Sequence, residues 1–175
     1  MKYGNLLLIS GSGRNSGKTA LACRLIEQLS SIGIISVKIS PHFHSSKGDS
    51  EILFRTAGYE IYEERSAGTD KDTSRMLRSG ARKAIYIQAS DSFLEDSFLK
   101  VYSLIPESNA VVCESPALIR FIEPGMFVYM ESSVNNPKGK ASWLRDPDLV
   151  FRYEDLGNIS MLPIDFVSGQ WSLLY

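Results

Sequence analysis

The run Asn5-Leu6-Leu7-Leu8-Ile9-Ser10, followed at once by Gly11-Ser12-Gly13-Arg14-Asn15-Ser16-Gly17-Lys18-Thr19, constrains the fold of this chain more than any other stretch. A short apolar run without polar alternation is the pattern of a strand buried on both faces, and such a strand needs a packed layer on each side. From Gly17 to Ile32 the period changes. Leu21, Leu25, Leu29 and Ile32 fall at i, i+4, i+8 and i+11, with Cys23 and Ile26 beside them and Gly33 as a stop. Ile34–Ile39 reads as a second buried strand. The opening is therefore strand, Gly-rich loop, helix, strand, which is the context a phosphate-binding loop requires.

The rest of the chain continues the alternation. A small β-hairpin insertion is expected around residues 52–65, with Ile52–Thr56 and Glu60–Arg65 flanking Ala57-Gly58-Tyr59. Asp72–Ser79 reads as a short helix with Asp72 or Thr73 as N-cap and Gly80 as stop. Lys83–Gln88, Ala110–Cys113 and Met126–Met130 read as strands, and Asp91–Leu104 as an amphipathic helix. Asn135–Lys140 is loop-like, Ala141–Arg145 has the composition of one helical turn, and Leu149–Tyr153 and Pro163–Val167 read as late strands. This pattern predicts one α/β domain over residues 1–175, a three-layer fold with a mainly parallel sheet flanked by helices.

Composition narrows the function classes. A net charge of −1 gives no global basic field, so nucleic acid is not an expected partner. The longest apolar run falls well short of the ~20 residues of a membrane span, and the N-terminus lacks a signal-peptide pattern. Two cysteines, Cys23 and Cys113, are too few for a disulfide framework. A soluble, cytoplasmic protein is the expectation.

The loop carries the chemistry. Successive backbone N–H groups and a helix N-terminus make an anion cradle. Lys18 would reach the β- and γ-phosphates, the Thr19 hydroxyl would ligate Mg²⁺, and Gly17 must lack a side chain for the backbone to approach. The strict motif G-x-x-x-x-G-K-[ST] places glycine where this chain has Ser12. Gly11 and Gly13 are expected to supply positive φ on either side. The plainer alternative is a Gly/Ser-rich strand-to-helix turn that holds nothing.

The stretch from Ser10 to His44, with Gly13, Ser16, Gly17, Lys18, Thr19, Lys38, His42 and His44, resembles the opening of the MobB family of molybdopterin-guanine dinucleotide biosynthesis. Residues 72–87, "DTSRMLRSGARKAIYI", resemble a second segment of that family. The chain departs at Cys113-Glu114-Ser115-Pro116-Ala117-Leu118, where the family usually has Glu-Gly-Phe-Lys, and the span between His44 and Asp70 is expanded. The resemblance implies a P-loop NTPase fold that binds GTP (or ATP) with slow Mg²⁺-dependent hydrolysis. It also implies a homodimer acting as adaptor for a partner enzyme of molybdenum-cofactor biosynthesis. Candidate nucleotide-binding residues are Gly13, Arg14, Asn15, Ser16, Gly17, Lys18, Thr19, Ala20, Lys38 and His42. Lys18 and Glu114 are the catalytic candidates, and Thr19 and Asp49 the candidate Mg²⁺ ligands.

Two other readings stay open. One is a small-molecule kinase or ATP-dependent ligase in which the His loop, Arg75 and Arg78 hold an acceptor. The other is a regulatory protein that binds nucleotide without turning it over. Arg75, Arg78, Arg82 and Lys83 form a local basic cluster, either an anion site or a solvated helix face. His42 and His44 have metal-ligand spacing but lack a third ligand nearby.

Overall fold

The computed structural model describes residues 2–13, 15–41, 43, 50–132 and 143–174. The strands are β1 (Lys2–Gly11), β2 (Ile35–Ser40), β3 (Glu51–Arg55), β4 (Tyr59–Glu63), β5 (Lys83–Ala89), β6 (Val111–Glu114), β7 (Glu123–Glu131), β8 (Leu149–Arg152), β9 (Ile164–Val167) and β10 (Gln170–Leu173). The α-helices are α1 (Lys18–Gln28), α2 (Asp72–Arg78) and α3 (Leu94–Tyr102).

Eight strands form one mixed sheet in the order β3-β4-β5-β2-β6-β1-β7-β8, parallel from β5 to β8. β3 and β4 extend it as an antiparallel edge, β4 pairing with β5. The expected hairpin is therefore present, and it forms the sheet's margin. Its turn is held by the Thr56 hydroxyl, which accepts from the backbone N–H of Gly58 at 3.2 Å and of Tyr59 at 3.1 Å.

β1 explains why the sheet sits in the middle. Leu6, Leu7, Leu8 and Ile9 are all 0% exposed. Leu6 and Leu8 pack on one face with Phe98 and Val101 of α3, while Leu7 and Ile9 pack on the other with Leu21, Leu25 and Ile26 of α1 and Met76 of α2. Successive strand side chains point to opposite faces, so one apolar run glues both layers. Truncating any of these leucines to alanine would cost about 2–5 kcal/mol.

Several boundaries differ from expectation. α1 stops at Gln28, and a 3₁₀ turn over Ser30–Ile32 ends at Gly33, whose φ of 70° is left-handed. α2 begins at Asp72 with Lys71 as N-cap, so Asp72 lies inside the first turn. The chain over 143–145 is not helical. Trp143 packs edge-on against Phe127 with ring centroids 5.2 Å apart. Gln170–Leu173 was not expected as a strand. It pairs with β9 across Ser168-Gly169, both at positive φ (53° and 78°), the geometry of a tight hairpin turn. This separate hairpin docks on the α1 side of the sheet, where Trp171 Nε1 donates to the Asn5 carbonyl at 2.8 Å.

No helix among the described residues is long and apolar enough to cross a membrane.

Candidate functional site

The parallel strands end on one edge of the sheet, and there a pocket of about 950 Å³ opens over the β1–α1 loop. Open α/β sheets bind ligands at this edge. Gly13, Asn15, Ser16, Gly17, Lys18, Thr19 and Ala20 all line it, together with Lys38 and Glu114 from the ends of β2 and β6. Among the sequence candidates, Arg14, His42, His44 and Asp49 lie outside the described residues.

The loop's shape has a different cause from the expected one. Among the described loop residues the left-handed conformations belong to Asn15 (φ 60°) and Gly17 (φ 89°), and neither Gly11 nor Gly13 has positive φ. Gly11 is required for space: a Cβ there would lie 2.5 Å from Ser16 Oγ and 2.8 Å from the Met130 carbonyl oxygen. Ser12 does its own task. Its backbone N–H donates to the Met130 carbonyl at 3.1 Å, and its hydroxyl accepts from the Ser132 N–H at 2.7 Å, tying the loop to the end of β7. A glycine at position 12 would lose the second bond.

Gly17 is the N-cap of α1 and offers no side-chain cap, so the first-turn N–H groups keep their capacity to bind an anion. Lys18 curls back over the loop, its Nζ donating to the Gly13 carbonyl at 2.6 Å and to Ser16 Oγ at 3.1 Å. Burial pushes the Lys18 ammonium below the usual lysine range, and neighbouring Lys38 adds to this, although Glu114 and Asp72 oppose it. Phosphate charge at the loop would oppose this shift.

Beside the loop, Thr19 Oγ1 donates to Glu114 Oε2 at 2.7 Å. Glu114 is 1% exposed. Its other oxygen takes the ammonium of Lys38, which also reaches Asp72 at 3.0 Å. Burial alone would lower the Lys38 pKa, but the two carboxylates outweigh it and raise the value above the usual lysine range. The strand order puts these groups together: β6 lies between β1 and β2, with Ile9 opposite Glu114 on one side and Lys38 opposite Glu114 on the other.

The donor set fits a phosphate bound with Mg²⁺. Mg²⁺ takes few protein oxygens and keeps waters and substrate oxygens for the rest, and the Thr19 hydroxyl next to Glu114 supplies such oxygens. Among the described residues no three His, Cys, Asp or Glu side chains converge as a metal cage.

The predicted basic cluster separates. Arg75 lines the pocket. Arg78 donates to the carbonyls of Ala67 (2.7 Å) and Thr69 (3.3 Å), and Lys83 pairs with Glu63 at 3.4 Å. Asp72, Tyr62, Glu64, Lys71, Tyr86 and Tyr153 also line the pocket and were not singled out as site residues in the sequence. Only Asp72 had a signal, as the first residue of the second family-like segment. Tyr153 follows β8 and is 60% exposed, and a Cβ on Gly17 would lie 2.6 Å from its ring. Its ring therefore leans directly on the loop backbone.

No protein-family model, curated protein or solved structure matches this chain.

Proposed function

We propose that this chain is a Mg²⁺-dependent nucleoside triphosphate-binding protein of the P-loop NTPase fold, in which the β1–α1 loop holds the phosphates. The observation that carries the reading is the Thr19–Glu114 hydrogen bond beside Lys18 and the uncapped start of α1. A hydroxyl and a carboxylate in contact at the rim of an anion cradle are the groups a phosphate-bound Mg²⁺ uses. Bound there, the ion would neutralise phosphate charge; Lys18 would hold the terminal phosphates and the loop backbone would orient them.

GTP is the nucleotide favoured by resemblance to the MobB family, and that resemblance also supports an adaptor role, as a homodimer, for a partner enzyme in molybdenum-cofactor biosynthesis. The exposed face of Tyr153 offers the base a stacking surface without choosing between guanine and adenine. Slow hydrolysis fits the site chemistry. Glu114 is engaged by Thr19 and Lys38, Asp72 by Lys38 and Arg75, and Glu64 by hydroxyl and backbone donors. These contacts hold the described carboxylates in fixed positions around the loop.

A second reading, transfer to a small-molecule acceptor, is favoured by one observation: the pocket continues well beyond Glu114. Calorimetric titration with GTP and ATP in the presence of Mg²⁺, followed by phosphate-release assays with and without candidate acceptors, tests both. Absence of binding by either nucleotide, with Lys18→Ala indistinguishable from the parent, would refute the loop's assignment.

A further inference from the structure

Past the Lys38–Glu114–Asp72 group the pocket is walled by Ser50, Tyr62, Lys71, Arg75 and Tyr86. None of these belongs to the phosphate loop. Tyr62 and Tyr86 come from the paired strands β4 and β5, where they are register partners. Lys71 and Arg75 come from the start of α2 and its N-cap.

The two cations in this wall are loosely paired. Lys71 Nζ lies 3.7 Å from Glu64 and 3.4 Å from Ser50 Oγ, and the Arg75 guanidinium lies 3.6 Å from Asp72. These separations exceed those of well-formed charge-assisted hydrogen bonds, about 2.7–2.9 Å, so both groups keep donors for another anion. Glu64, the carboxylate nearest Lys71, is buried and saturated. It accepts from Thr73 Oγ1 at 3.1 Å, Ser50 Oγ at 3.3 Å, and the backbone N–H groups of Arg65 (3.1 Å) and Ser66 (3.2 Å). Its part is to fix the wall; Asp72, the carboxylate beside Arg75, is held more closely by Lys38 at 3.0 Å, so Lys71 and Arg75 are the cations a ligand anion would meet.

The floor is aromatic. The Tyr62 and Tyr86 rings lie 6.4 Å apart with planes inclined by 28°. Tyr62 is buried and its hydroxyl is spent on Glu60, while Tyr86 is half-buried. Two near-parallel rings lining the same pocket as two loosely paired cations suit a planar body carrying an anionic group.

We propose that this half of the pocket is a second ligand site, for a small planar molecule bearing a carboxylate or phosphate monoester, beside the nucleotide and separate from it. The proposal rests on the reading of the loop as a nucleotide site, in that the same pocket then holds two ligands. Arg75 and Lys71 bind the anion, and Tyr86 carries the ring.

Phenyl phosphate is the probe. It is titrated by calorimetry into full-length protein saturated with Mg²⁺ and a non-hydrolysable GTP analogue. Binding at one equivalent is expected, tighter than that of methyl phosphate. It should weaken by about tenfold in Arg75→Gln and in Lys71→Gln, and less in Arg75→Lys, which keeps the charge if the glutamine variant folds poorly. Tyr86→Ala should erase the preference for phenyl over methyl. Failure to bind, displacement of the nucleotide analogue, or equal binding by the parent and both glutamine variants overturns the second site. The two readings fail separately. If no nucleotide binds, phenyl phosphate binding that still depends on Arg75 sustains this half of the pocket and removes only the loop's assignment.

Discussion

Thr19 and Glu114 are 95 residues apart in the chain and 2.7 Å apart in the fold, the hydroxyl of one donating to the carboxylate of the other. The loop's threonine is thereby oriented by a buried charge on the neighbouring strand. That charge is compensated from the far side by Lys38.

Glu114→Gln tests this arrangement. The substitution keeps shape and removes charge, leaving a largely buried lysine with Asp72 alone. A loss of about 2 kcal/mol is expected, below the range for a fully orphaned buried charge because Asp72 remains. The pH dependence has a definite sign. The folded-state pKa of Lys38 is raised above its ordinary 10.5, so its stabilisation is complete below that value and drains away as pH rises through the higher folded value. Denaturant melts from pH 7 upward should show the gap between the parent and Glu114→Gln constant to about pH 10 and narrowing as pH rises beyond 10.5.

Lys18 has the opposite sign. Its folded-state pKa is lowered, chiefly by burial, so the charged group weighs against folding at neutral pH, and that penalty vanishes only as pH rises past 10.5. Lys18→Gln should therefore melt slightly higher than the parent at pH 7 without ligand, by about 2 °C, the scale of a sub-kcal/mol effect in a chain of this length. The same variant should lose nucleotide affinity by about a hundredfold, the upper range for a charged hydrogen-bonding group. Differential scanning fluorimetry with and without GTP and Mg²⁺ reads both effects; a variant that is both less stable and equally good at binding would contradict them.

Two glycines of the loop should behave differently. At Gly17, φ is 89° and a Cβ would meet Tyr153 at 2.6 Å and Met130 Cε at 3.0 Å, so Gly17→Ala should cost about 2 kcal/mol or more and abolish phosphate binding. Removing the ring with Tyr153→Ala should recover part of that loss and leave the backbone strain. Chain neighbours aside, no described atom lies within 4 Å of a Cβ built on Gly13, so Gly13→Ala should change stability by no more than about 0.5 kcal/mol. Chemical denaturation of Gly17→Ala, Gly17→Ala with Tyr153→Ala, and Gly13→Ala supplies the comparison.

Cys113 lies fully buried in β6, and burial pushes its thiol well above the ordinary range. Native protein at pH 8 should leave Cys113 unmodified by iodoacetamide, and modification should follow only on unfolding in guanidinium. Mass spectrometry of the labelled peptides decides this. Rapid native labelling of Cys113 would mean that β6 is not the central strand described here.

The local pieces are legible in the order of amino acids alone. The apolar run at Leu6–Ile9 specified a doubly buried strand, and Gly17-Lys18-Thr19 specified a turn into a helix, because these depend on side chains and backbone freedom within a few residues. The edge hairpin was legible for the same reason. Ser12 departs from the strict motif, and its part in the loop is not local: its hydroxyl finds a backbone partner 120 residues away. Gln170–Leu173 was missed because a short strand with one buried tryptophan gives little period to read. The site's company comes from the assembled sheet: Glu114 against Thr19 and Lys38, Asp72 on Lys38, and Tyr153 on Gly17. Those meetings follow from the order β2-β6-β1-β7-β8. That order is set by burying both faces of the sheet at once, a condition on the whole chain that no window of sequence contains.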